Sequence, residues 1–321
     1  MGKVTKIILH NLIFVGIIYS PIPIMKNNRW QQRFYRQPVT HRQRAAVVFL
    51  IDCSLSMLQP GKVRSLTLAK HQIAALMCNL MIDEFVMRAS RNGIINNYYD
   101  IAAIGYTGDG IVSLLPGDSN GFTSIEKLAE LTPAIKTISL THQANGEAPI
   151  EVPMTLHEWI DPQPFGNASM VEGLSETYML IDKWCHMPDN RDNFPPLVFH
   201  FTDGAYNQRD RDNIIDITSR IKSVNTSDGD ALLFNILLTS YDDNYSVMFP
   251  TNHGFNRRSA EERLMFETSS MVPKSLENFV AFMLDIKRSG PYRSYIVNSS
   301  ACELISILNI GTESVNNVKY L

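Results

Sequence analysis

Apolar and polar positions fall in blocks along this chain, and the block lengths predict its elements. Residues 45–51 (Ala-Ala-Val-Val-Phe-Leu-Ile) form an unbroken apolar run, as in a strand buried on both faces. After the Pro60-Gly61 break, Leu66, Ala69, Ile73, Leu76 and Leu80 recur at three- and four-residue spacing, which predicts a long helix over 63–89 with one apolar face. Residues 99–106 and 111–115 flank Thr107-Gly108-Asp109-Gly110 and predict a hairpin. Further helices are predicted over 170–184, 209–224, 259–269 and 295–308, and strands over 197–202 and 231–238. Residues 116–165 are rich in Pro, Gly and polar side chains and read as an elaborated connection. Strands alternating with helices predict a doubly wound α/β fold, with a mostly parallel central sheet and helices on both faces. Ligands of such sheets bind beyond the carboxyl ends of the strands.

Two strand ends carry the candidate chemistry. The first apolar run closes on Asp52-Cys53-Ser54-Leu55-Ser56-Met57, a carboxylate followed by hydroxyls at alternate positions. On an extended tip, residues two apart point the same way, so Asp52, Ser54 and Ser56 can offer three oxygens to one point. Hard cations such as Mg²⁺ take oxygen ligands of this kind. The strand at 197–202 ends in Thr202-Asp203-Gly204, which brings Asp203 to the same edge if the two strands are neighbours. His200 lies between Phe199 and Phe201 in that strand, as a hydrogen-bonded core histidine would.

With these residues in place, the chain resembles the von Willebrand factor A domain family. The likeness rests on Asp52-x-Ser54-x-Ser56-Met57, the long helix after it, residues 166–174 (Gly-Asn-Ala-Ser-Met-Val-Glu-Gly-Leu) and Thr202-Asp203-Gly204, in the family's order over residues 45–310. It implies a Rossmann-like fold and a metal-ion-dependent adhesion site. There Ser54 and Ser56 would ligate Mg²⁺ (or Mn²⁺) directly, Asp52 and Asp203 would act through bound water, and an acidic residue of a protein partner would complete the shell. The sequence departs from the pattern at Ala168, where the family places a threonine. Ala168 has no side-chain oxygen, which leaves Ser169, Asn167 or water for that ligand position. A scaffold without metal, binding partners through the 116–165 connection, is the alternative that this departure keeps open.

Composition narrows the function classes. With 45% hydrophobic and 19% charged residues, the 321-residue chain is ordinary for a soluble globular protein. Residues 1–51 contain eight Lys or Arg and no Asp or Glu, while the remainder carries 21 basic and 32 acidic groups. An acidic body argues against nucleic-acid binding, which needs basic patches. The sequence therefore divides into a basic arm at 1–44, with Trp30, Phe34 and Tyr35 among its cations, and a domain at 45–321. The arm is expected to pack back on the acidic body, with binding of single-stranded nucleic acid or anionic lipid as the alternative that its cations and aromatics leave open.

Lys3 and Lys6 before the apolar stretch at 7–25 resemble a signal or anchor, although His10, Asn11, Pro21 and Pro23 interrupt it. A membrane-anchored protein is thus the alternative to a cytoplasmic one, which the four scattered cysteines favour. No catalysis by the chain alone is expected. A phosphatase using Asp52 as nucleophile would need a second acid where Ser54 stands. Neither Ser54 nor Ser56 sits in a Gly-x-Ser-x-Gly elbow, and no phosphate-binding loop with its Lys-Ser/Thr pair occurs.

Overall fold

The computed structural model describes residues 35, 39–63, 66–142, 150–167, 169–241, 245–251, 258–285 and 290–308. All belong to the unit Phe34–Leu321. The leader at 7–25, the arm cations Lys26, Arg29, Arg33 and Arg36, and Ala168 lie outside the described residues.

The first apolar run is strand β1 (Ala45–Asp52), buried at every position. It pairs in parallel with β4 (Tyr99–Thr107) on one side and β9 (Phe194–Thr202) on the other. Beyond β9 lie β10 (Leu232–Leu237) and β12 (Tyr295–Val297), both parallel. Short antiparallel strands finish the sheet: β11 (Val247–Met248) on β12, and β5 (Gly110–Ser113) and β6 (Thr123–Ser124) on β4. The eight strands form a doubly wound, mostly parallel sheet. The chain steps from β1 outward to β4, then returns to β9 on the other side, so the order reverses between β1 and β9. A crevice opens at such a switch point, outside the carboxyl ends of the strands.

Alternation along β1 divides the core in two. Ala45, Val47, Phe49 and Ile51 face α1 (Lys70–Ala89), α6 (Glu277–Met283) and α7 (Ala301–Ile307). Ala46, Val48 and Leu50 face α3 (Met170–Cys185), α4 (Arg211–Ile221) and α5 (Ala260–Thr268). Side chains of a strand point to opposite faces in turn, so a run apolar at every position needs cover on both. On the first face Phe49, Phe199 and Phe234 stand in register on β1, β9 and β10, with ring centroids 5.8 and 5.0 Å apart. Burying each such side chain contributes roughly 1.5–3 kcal/mol.

Two expectations are corrected, and the connection at 116–165 gains elements of its own. The helix predicted over 63–89 starts at Lys70, because Pro60–Val63 (β2) and Leu66–Ala69 (β3) form an antiparallel hairpin. Leu66 and Ala69 satisfied helical spacing, but Leu66-Thr67-Leu68 also alternates, and the ladder back to Pro60 decides between them. The helix predicted over 295–308 is strand β12 followed by α7. Asn298 takes a positive φ of 47°, and Ser300 caps the new helix in a reciprocal box with Glu303. The connection at 116–165 holds helix α2 (Ile125–Glu130) and a hairpin of β7 (Ala134–His142) with β8 (Ile150–Glu158). Asn79 of α1 fastens the end of that hairpin, accepting from the Trp159 and Ile160 amides and donating to the Ile160 carbonyl.

His200 is the core histidine expected. Its Nε2 lies 2.9 Å from the Tyr106 hydroxyl and its Nδ1 2.9 Å from Asn235 Oδ1. The Asn235 amide NH₂ donates to the Met265 carbonyl, so its oxygen is the acceptor, and Nδ1 of His200 carries the proton. Among the described residues, no helix is long and apolar enough to cross a membrane.

Candidate functional site

The carboxyl ends of β1 and β9 bring Asp52 and Asp203 to the switch-point crevice, as adjacent strands require. Asp52 is buried. Its Oδ1 accepts from the Ser54 amide at 2.9 Å and its Oδ2 from the Thr202 hydroxyl at 2.8 Å. Thr202 in turn accepts from the Gly204 amide. Burial raises the Asp52 carboxyl; Ser54 and Thr202 partly offset this, the Asp203 charge adds to it, and the pKa stands at about 6. The group is thus a carboxylate short of positive charge.

Ser54 and Ser56 converge, but not along an extended tip. Ser54 is extended, while Leu55–Leu58 turns as a 3₁₀ helix, and this brings the two hydroxyl oxygens to 2.9 Å of each other. Both face an open cleft of about 460 Å³, shared with Ser169, Asn207 and Asp210. Ser169 also caps α3, accepting from the Glu172 amide at 3.4 Å. Asn207 caps the short turn Gln208–Asp210 that leads into α4.

Backbone bonds stitch the loops around the crevice together. Phe165 N–H donates to the Cys53 carbonyl, Leu55 N–H to Gly166, and Gly108 N–H to Phe165. Gly166 has φ +62° and lies so close to Gly108 that a Cβ would stand 2.8 Å from the Gly108 Cα. Only glycine fits that crossing. Cys53, inside the motif, points away from the cleft into the core, and burial pushes its thiol up to about 12. It is neither a nucleophile nor a ligand in this environment.

Spacing gave no sign of Lys70. This first residue of α1 is 5% exposed, and its ammonium lies 3.1 Å from Asp203 Oδ2. The other Asp203 oxygen accepts from the Ala205 amide. Each Asp203 oxygen thus has a partner within the chain and a remaining lone pair, whereas Ser54 and Ser56 present hydroxyls to the cleft. Thr202 stood in the quoted motif without a role of its own, and Tyr106 was not singled out from sequence. A polar residue inside an apolar strand, as in Tyr106 of β4, was the available signal.

Among the described residues, no group of three His, Cys, Asp or Glu side chains could hold a metal. Any cation here would rest on hydroxyls backed by a carboxylate. That donor chemistry fits a hard divalent ion, which accepts neutral oxygens and keeps several waters. The paired hydroxyls in front of the under-compensated Asp52 are the observation behind this fit.

No family model matches the chain, and no curated protein matches it. Among solved structures, it is similar to the manganese-loaded TRAP protein of Plasmodium vivax at 15% identity and TM-score 0.34, covering 73% of this chain and 66% of that one. The SpRpn10 VWA domain is similar at 11% identity and TM-score 0.37, with 85% and 99% covered. The pilus adhesin SpaC of Lactobacillus rhamnosus GG is similar at 11% identity and TM-score 0.39, with 83% of this chain and 30% of the adhesin covered. The chain thus spans just under two thirds of the first and less than a third of the last.

Proposed function

We propose that this chain is a protein-interaction module that binds its partner through a divalent cation, Mg²⁺ or Mn²⁺, at the switch-point crevice. Ser54 and Ser56 would hold the ion directly. Asp52 and Asp203 would act on it through water, with Ser169 at the rim. A bound cation supplies the positive charge that a partner's acidic side chain then meets. The observation that carries this is the pair of hydroxyls 2.9 Å apart in front of buried Asp52. Two neutral ligands leave the ion electrophilic enough to take an anionic one from outside. The chain itself breaks no bond in this proposal: Asp52 and Thr202 orient, and Ser54 and Ser56 bind.

Calorimetric titration of chelator-stripped protein with Mg²⁺ and Mn²⁺, beside Ser54→Ala and Asp52→Ala, tests it. Saturable binding to the wild type, weakened at least about tenfold in Ser54→Ala by loss of a direct ligand, is the expected result. Absence of heat in folded wild type would overturn the cation-bridged mode as a stand-alone site. A metal-free scaffold is the second proposal, favoured by the hold of Lys70 on Asp203. Partner capture indifferent to chelator would support it.

A further inference from the structure

Lys70 has no part in the cation-bridged mode, yet its partner Asp203 belongs to the same crevice. Both side chains are almost wholly buried, 7% and 6% exposed, and the N–O distance is 3.1 Å. Two features set Lys70 against its surroundings. It occupies the first turn of α1, where the helix dipole disfavours a cation. It is also buried, which disfavours any charge without a partner. Only a strong local negative potential offsets both, and Asp203 with Asp52 behind it provides one. The approach of Lys70 is built into the fold. The β2–β3 hairpin delivers it, the Lys70 amide donates to the Gln59 carbonyl at 3.0 Å, and Gly61 makes room beside its stem. A Cβ on Gly61 would lie 3.1 Å from the Lys70 Cγ.

We infer that Lys70 is a tethered counter-ion of the crevice that competes with an added divalent cation and sets how tightly the site holds it. The inference rests on the cation site proposed above and adds the residue that tunes it. The Lys70 charge compensates Asp203 within the chain itself. The same charge repels a divalent ion brought to Ser54 and Ser56. At the effective dielectric of a partly buried site, a unit charge held on Asp203 beside the crevice changes affinity on the order of tenfold or more. The site is thereby set for weak, exchangeable metal, filled when a partner's carboxylate adds its own charge.

The test compares wild type, Lys70→Met and Lys70→Arg, each stripped of metal. They are titrated with Mg²⁺ and Mn²⁺ by calorimetry and melted in chelator and in excess Mg²⁺. Lys70→Met is expected to melt lower than wild type in chelator, to regain stability in Mg²⁺, and to bind either ion at least about tenfold more tightly. Lys70→Arg, which keeps the charge, is expected to bind like the wild type. If Lys70→Met does not fold, Lys70→Gln, which keeps a polar side chain without the charge, tests the charge alone. Equal affinity in wild type and the neutral variant would overturn the role of Lys70 and leave the cation site standing. No binding in any variant would overturn both.

Discussion

At the scale of the residue, two buried titratable side chains make opposite demands on pH. Asp52 has a pKa of about 6 in the fold, above the ~3.9 of an unfolded aspartate. The folded state binds that proton more tightly, so this contribution to stability falls as pH rises from about 4 to about 6. Burial lowers His200 to about 4, below the ~6.5 of an unfolded histidine, despite its Asn235 hydrogen bond. There the unfolded state binds the proton more tightly, so stability is lost as pH falls through the same window. Each of these displacements corresponds to roughly 3 kcal/mol, and the two largely cancel in the wild type. Urea unfolding in chelator across this window should expose them one at a time. Asp52→Asn should make stability climb more steeply with pH than in the wild type, and His200→Gln should make it fall relative to wild type. Parallel pH profiles for all three proteins would refute the assignment. Asp52 was legible in the sequence as a carboxylate ending an apolar strand. Its perturbed titration was not, because that depends on Asp203, 151 positions further along, and on the Thr202 hydroxyl across the strand pair.

At the scale of the element, the crevice is made by loops that cross closely. Gly166 at φ +62° passes against Gly108, and this crossing places Asn167 and Ser169 on the cleft. Gly166→Ala therefore meets both a left-handed backbone and a backbone neighbour. It should cost about 1–3 kcal/mol and weaken Mg²⁺ binding as well. Gly93→Ala is the control. Its φ is +78° with nothing within 4 Å of the added Cβ, so it should show the conformational cost alone and bind Mg²⁺ like the wild type. Thermal melts and metal titrations of the two variants together separate local strain from damage to the site. Periodicity found most of the elements flanking this crevice and misplaced others for physical reasons. Short segments such as Leu66–Ala69 satisfy helical and strand spacing at once, and only pairing across the ladder decides. Tyr295–Val297 is a strand because it closes the sheet beside β10, a long-range pairing that helix-compatible composition does not reveal.

At the scale of the molecule, the two ends of the sheet do different work. At the amino ends, Arg44 pairs with buried Asp100 at 2.9 Å and also reaches Asn190, while the Trp184 indole donates to the other Asp100 oxygen. The expected packing of the basic arm on the acidic body holds for this residue. Arg44→Ala leaves Asp100 short of its counter-charge and should destabilise the protein by about 1–3 kcal/mol. Because the site lies beyond the opposite ends of the strands, Mg²⁺ affinity should be unchanged. A calorimetric titration showing weaker metal binding in this variant would mean that the ends are coupled.

The sequence by itself determined the doubly wound layout, the placement of Asp52, Ser54, Ser56 and Asp203 at strand ends, and the core position of His200. These follow from local periodicity and from the rule that a strand apolar throughout must be covered on both faces. Only the tertiary structure decided which strands are neighbours, and hence that Asp52 and Asp203 share a crevice. It alone decided that a 3₁₀ turn, not an extended tip, joins the two serine hydroxyls. It alone brought Lys70 to Asp203 across 133 positions of chain. Charge pairing depends on distance in space, and a sequence fixes that distance only through the fold it adopts.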